Sequence, residues 1–181
     1  TENATCMALP TNQPIAPARN TDQMRAANQE QPFLPIYNYA VVTDAVEGLV
    51  LVDVNTLVDG ELRNNRLTRA VTWNPDNVLA GARHVTLAGE IAYITADAGL
   101  VVVDLANPLE PRLAAVRPLR DARASAVQFR YLWVTDADGV KLFDVTNLRD
   151  PEARPEGSVA LADARRLYLA RTSAYVAARG D

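Results

Sequence analysis

Arg83, Arg123 and Arg165 stand at matching places in three stretches of the chain, GARHVTL, DARASAV and DARRLYL. A guanidinium presents a planar fork of donors, so three of them gathered in a ring would capture an anion such as a carboxylate or phosphate. The competing reading pairs each arginine with a nearby acid, such as Asp121 or Asp163, or with the next repeat. Asp53, Asp104 and Asp144 recur in the same way, closing the runs GLVLVD, GLVVVD and GVKLFD. They would either form a carboxylate ring around a cation or accept backbone N–H bonds in the turn that follows. The second is the simpler use of an aspartate repeated in every copy.

A further acidic group, Asp44, Glu47, Asp97, Asp136 and Asp138, sits in the turns before Gly48, Gly99 and Gly139. Calcium would find oxygen ligands there. The D-x-[DN]-x-[DN]-G loop is missing, however, and hairpin geometry accounts for Asp-Gly and Ala-Gly turns. Calcium is therefore the minor reading, and no other cofactor is expected in this chain. The single histidine, His84, reads as a hydrogen-bonded structural residue, and Cys6 is the single cysteine. Together they fall short of the usual zinc ligand set, and one cysteine excludes an intrachain disulfide. No H-E-x-x-H, G-x-S-x-G, P-loop or G-x-G-x-x-G occurs, so no catalytic residue is assigned.

Composition bounds the function classes. The 181 residues are 49% hydrophobic and 22% charged, ordinary values for a folded chain. A net charge of −4 gives no electrostatic case for binding nucleic acid. No run of apolar residues is long enough for a membrane-spanning helix. Lys141 is the only lysine, which reads as coding bias rather than a recognition device. A chain that opens on Thr1 rather than Met reads as one from which a preceding segment was removed.

The elements that must position these residues change character near residue 36. Residues 1–35, rich in Asn, Gln, Pro and Ala, read as an extended arm or linker, with a short helix near Asp22–Asn28 as an option. Beyond Ile36 the chain breaks into short Val-, Ile-, Leu- and Tyr-rich runs separated by Gly, Asp, Asn and Pro. Strands are expected at 39–44, 48–54, 84–88, 91–95, 100–105, 112–117, 124–128, 131–135 and 140–145. The runs repeat. The stretch from Gly81 lies without gaps over the stretch from Asp121, with Tyr93 on Trp133, Thr95 on Thr135, Gly99 on Gly139 and Asp104 on Asp144. An earlier copy lacks an evident first strand, and a copy from Asp163 stops after its second. Trp133, Tyr93, Tyr131, Tyr168 and Tyr175 are strand positions expected in the core.

A period near 40 with four short strands per unit is the spacing of a β-propeller blade. Units at about 36–80, 81–120, 121–162 and 163–181 (the last incomplete) make an all-β propeller segment of three to four blades. Such a segment belongs to a larger ring, completed by the rest of a longer polypeptide or by another chain. AYITADAGLVVVDLANPLEP resembles the LVIVD repeat of bacterial and archaeal secreted or cell-surface β-propellers, and GVKLFDVTNLRDP matches it more loosely. The resemblance implies a non-catalytic scaffold that binds other protein chains in an extracytoplasmic setting, whether periplasmic, cell-surface or secreted. The alternative is the propeller portion of a larger extracellular enzyme, redox and associated with multihaem cytochromes, or hydrolytic. No C-x-x-C-H haem site lies in this chain. The repeats account for their own recurring residues. Partner contacts are therefore expected where the copies differ: in the arm, and in an insertion around Leu57–Trp73 that carries Arg63, Arg66, Arg69 and Trp73.

Overall fold

Strands form where β-branched and aromatic residues run for about six positions, and they stop at Gly, Asn, Asp or Pro. The computed structural model describes residues 1–10, 35–54 and 62–179. Over these residues the chain is a succession of four antiparallel sheets with only short 3-10 turns between strands. The first sheet holds β1 (Ala4–Ala8), β2 (Tyr39–Asp44), β3 (Gly48–Asp53) and β4 (Thr68–Trp73), in that order. The second holds β5 (His84–Ala88), β6 (Ile91–Ala96), β7 (Gly99–Asp104) and β8 (Arg112–Arg117). In the third, β9 (Ala124–Gln128), β10 (Tyr131–Thr135) and β11 (Gly139–Asp144) are followed by two short strands. These are β12 (Glu152–Ala153) and β13 (Val159–Ala160), and both pair with β11. The interruption between them is the Pro155–Gly157 turn, where proline removes a ladder donor. The fourth sheet is the hairpin of β14 (Ala164–Ala170) and β15 (Ser173–Ala178).

Every strand expected from sequence is present, within one residue at each end. The extended-arm reading needs a correction, because Ala4–Ala8 pairs antiparallel with β2, Cys6 opposite Thr43 and Met7 opposite Val42. The first strand that the first copy lacked is thus supplied from the amino-terminal residues. The rest of the arm, including the Asp22–Asn28 option, lies outside the described residues from 11 to 34.

The first strands lie side by side, β1 against β5, β5 against β9 and β9 against β14. Two apolar clusters fill the space between sheets. Val41, Leu49 and Leu51 of the first sheet meet Ala92, Ile94, Val101 and Val103 of the second. Ile91, Tyr93, Leu100 and Val102 face the opposite way and meet Leu132, Val134 and Phe143 of the third. The second sheet is covered on both faces, so successive residues of β6 and β7 bury themselves in alternate directions. That is why these strands read as unbroken apolar runs. Tyr168 and Tyr175 depart from the expected core: they are 69% and 63% exposed, because no described strand stacks on the far side of β14 and β15.

Tight turns into the third strands depend on glycine. Gly99 has φ of 111° and Gly139 of 154°, and a Cβ at either would run into the backbone of the neighbouring strand, Arg117 or Val159. Gly99→Val is expected to destabilise by roughly 1–3 kcal/mol. The denaturant midpoint measures it, and an unchanged midpoint would count against this turn geometry.

Candidate functional site

The antiparallel order gives the stack two ends. Turns from first to second strand and loops from third to fourth lie at one, here called the upper end. Turns from second to third strand and the connections between sheets lie at the lower end.

At the lower end each later sheet opens in the same way. Gly81, Asp121 and Asp163 adopt the left-handed conformation, followed by the fully buried Ala82, Ala122 and Ala164 and then by Arg83, Arg123 and Arg165. The arginines and acids alternate from sheet to sheet. Arg83 bonds Asp97 at 2.6 Å and lies 3.7 Å from Asp121. Arg123 donates to Asp121 at 2.7 Å and to Asp163 at 2.5 Å, and Arg165 bonds Asp163 at 3.0 Å. Arg123 also donates to the Ala164 carbonyl at 3.1 Å. Arg165 and Arg123 hold the Asp163 carboxyl below its usual range. The three arginines therefore do come together, in an open concavity of about 470 Å³ shared with Asp121 and Arg166. Their donors go largely to the acids between them, so the arrangement is an ionic ladder rather than a vacant anion cradle.

Buried threonines add a second set of sheet-to-sheet bonds. Thr95 Oγ1 donates to the Arg123 carbonyl at 3.1 Å, and Thr135 Oγ1 to the Arg165 carbonyl at 3.0 Å. In the first sheet Thr5 does the same for the Ala82 carbonyl at 2.8 Å, itself held against Thr43 at 3.0 Å. Thr95→Val leaves a buried carbonyl without its donor. It should cost about 1–3 kcal/mol in a thermal or denaturant melt, and a neutral effect would mean that this bond does not join the sheets.

The acidic turn residues act on their own backbone. Asp44 accepts the N–H groups of Val46 and Glu47, and Asp136 those of Asp138 and Gly139. Burial pushes the Asp44 carboxyl up, but its four backbone donors outweigh that and hold it below the usual range. Asp104 caps Ala106, and Asp144 caps Thr146 through both its N–H and its hydroxyl. Asp97 pairs with Arg83, Asp138 with Arg120 and Glu47 with Arg69. Among the described residues no group of three or more His, Cys, Asp and Glu side chains could hold a metal ion.

His84 lies between β5 and β9, where its Nδ1 accepts the Ser125 N–H at 3.3 Å. Burial, and to a lesser degree the Arg166 guanidinium, lower its pKa to about 4 from the usual 6.5. The unfolded chain therefore binds more protons than the folded one between pH 6.5 and 4, and stability falls as pH drops through that window. The loss approaches about 3 kcal/mol. Denaturant midpoints from pH 7 to 4 should decline in the native chain and decline less in His84→Gln; parallel curves would refute the assignment.

At the upper end the insertion enters between β3 and β4. Residues 55–61 lie outside the described residues. Arg63 and Arg66 are exposed, and Leu62 is 82% exposed. Arg69 and Trp73 are not in a loop: both belong to β4, where Arg69 is bound to Glu47 and Trp73 packs half-buried against the first cluster. The expectation of an exposed Trp73 is thus corrected, because the insertion ends before the fourth strand begins. Sequence reasoning missed Phe129. It occupies the β9–β10 turn at φ of 55° and is 91% exposed, at the position that Gly89 takes in the preceding repeat. The gapless alignment already set a phenylalanine over a turn glycine, and that mismatch was the available signal.

The chain carries an LVIVD repeat: the model of that family matches residues 81–115, which span β5 to β7 and part of β8. No curated protein and no solved structure matches the chain. No helix among the described residues is long and apolar enough to cross a membrane.

Proposed function

We propose that this chain is a non-catalytic β-propeller segment that serves as a protein-binding scaffold in a secreted or cell-surface assembly, with its upper end as the binding face. Side-by-side first strands and a four-strand unit repeated about every 40 residues support the propeller reading. The resemblance of the matched repeat to those of secreted and surface proteins supports the extracytoplasmic setting. The recurring polar residues are engaged in turns and in joining one sheet to the next, which leaves function to the positions that differ between copies.

Phe129 carries the binding reading. A phenylalanine in the left-handed region costs on the order of 1 kcal/mol relative to glycine, and this one offsets none of that by packing. An exposed aromatic at the tip of a rigid hairpin is the form of an interface anchor. It shares its end of the stack with the exposed Leu62 and Leu67 of the insertion and with Leu109 of the β7–β8 loop.

Phe129→Gly should keep or slightly raise the melting temperature, because glycine suits the turn. Combined with Leu62→Ser, it should remove the proteins that co-purify with the native chain from extracts of the source cells. Retention of every partner by a folded double variant would overturn the assignment of this face.

A further inference from the structure

We propose that Arg166, with Arg165 beside it, binds a phosphate group, free or carried on a small molecule, in the concavity at the lower end of the stack. The site lies at the opposite end from Phe129 and does not depend on the scaffold reading. The ladder accounts for most of the charges around this concavity. Asp97, Asp121 and Asp163 balance Arg83, Arg123 and Arg165 one for one. Arg166 is a further guanidinium in the same lining and has no acid of its own. Its side chain forms no hydrogen bond or ion pair with a described residue. It stands at the position held by His84 and Ala124 in the two preceding copies, so neither the repeat nor the ladder requires a cation there.

A β-bulge aims this side chain. The pairing of β14 with β15 slips between Ala164 and Arg166, with Arg165 as the extra residue. In β5 and β9 the same stretch runs in unbroken register. Ala124 is consequently buried, whereas Arg166 is exposed. Redirecting one side chain is a common use of a bulge beside a binding site. The redirected guanidinium turns back over the preceding sheets. It shares the concavity with Arg83, which opens the second sheet. Its charge also reaches His84 on β5, where it is the second cause, after burial, of the pKa lowered to about 4.

The ligand class follows from the donors. Arg165 spends its Nε on Asp163, and its terminal nitrogens form no further bond with a described residue. A guanidinium fork is matched by a pair of oxygens. A carboxylate has one such pair and satisfies one fork. A phosphate group has more oxygens, so two adjacent forks can share it, and its double charge strengthens both sets of bonds. The concavity of about 470 Å³ is in the range of small-molecule sites. The chain's net charge of −4 disfavours a long polyanion such as a nucleic acid.

The test uses the full chain near neutral pH and at low ionic strength, with inorganic phosphate and glycerol 3-phosphate as probes. Binding is read from the arginine Nε–H resonances and from the ring protons of His84, the single histidine. Both sets should shift saturably with one midpoint. Arg166→Gln should weaken binding roughly tenfold, and Arg166→Lys, which keeps the charge without the fork, should weaken it less. Arg112→Gln, which removes an exposed arginine at the upper end, should leave binding unchanged. Arg166 is exposed, so its variants should melt like the native chain. Tighter binding of the ester identifies a phosphorylated small molecule as the ligand, and equal binding identifies free phosphate. Shifts that do not saturate, that acetate reproduces at equal ionic strength, or that persist in a folded Arg166→Gln variant overturn the proposal.

Discussion

Close approach of neighbouring first strands is the constraint on which the rest of this structure depends. Where one sheet gives way to the next, Ala82, Ala122 and Ala164 are fully buried, and a residue in the left-handed conformation precedes each of them. A larger side chain at these points would wedge the sheets apart. With the sheets that close, a threonine hydroxyl on one reaches a backbone carbonyl on the next, and an arginine reaches acids on both sides. The apolar clusters then form in the space that the same spacing defines.

This spacing also decides which charges are spent. An arginine held between two aspartates gains charge-assisted bonds on both sides, whereas an isolated surface ion pair contributes little. The alternation Asp97, Arg83, Asp121, Arg123, Asp163, Arg165 couples three sheets through one line of contacts. The most conspicuous cluster of cations is thereby engaged largely in joining one sheet to the next.

Much of this was legible in the residues. A strand in a stacked repeat must bury both faces, so GLVVVD and IAYITA announce themselves, and the fixed offset between copies placed Arg83, Arg123 and Arg165 in register. Pairing with local acids was readable too, since Asp121 and Asp163 sit two residues before their arginines. Some of what was not legible depends on a partner that lies far away in sequence. Ala4–Ala8 is a weak strand by composition and is made one by β2, more than thirty residues on. Tyr168 and Tyr175 look like core residues until the missing neighbour is known. Trp73 seemed to sit in a loop because nothing local marks where the insertion stops and β4 starts. Phe129 was legible only as a phenylalanine set over the turn glycine Gly89, and its exposure shows only in the structure.

The origin of β1 sets the order in which the first sheet is assembled. Hairpins such as β2–β3 close over three residues, while joining β1 to β2 closes the chain from residue 9 to residue 38. That closure costs about 3 kcal/mol in chain entropy, and ladder bonds with β2 together with the Thr5 contacts must repay it. β1 is therefore the last strand to add and the first to leave. β1 precedes both strands that it contacts, so its residues have no edge to join until β2 and β5 have formed one. The first sheet is closed by a latch, held at the end of the longest chain closure within that sheet.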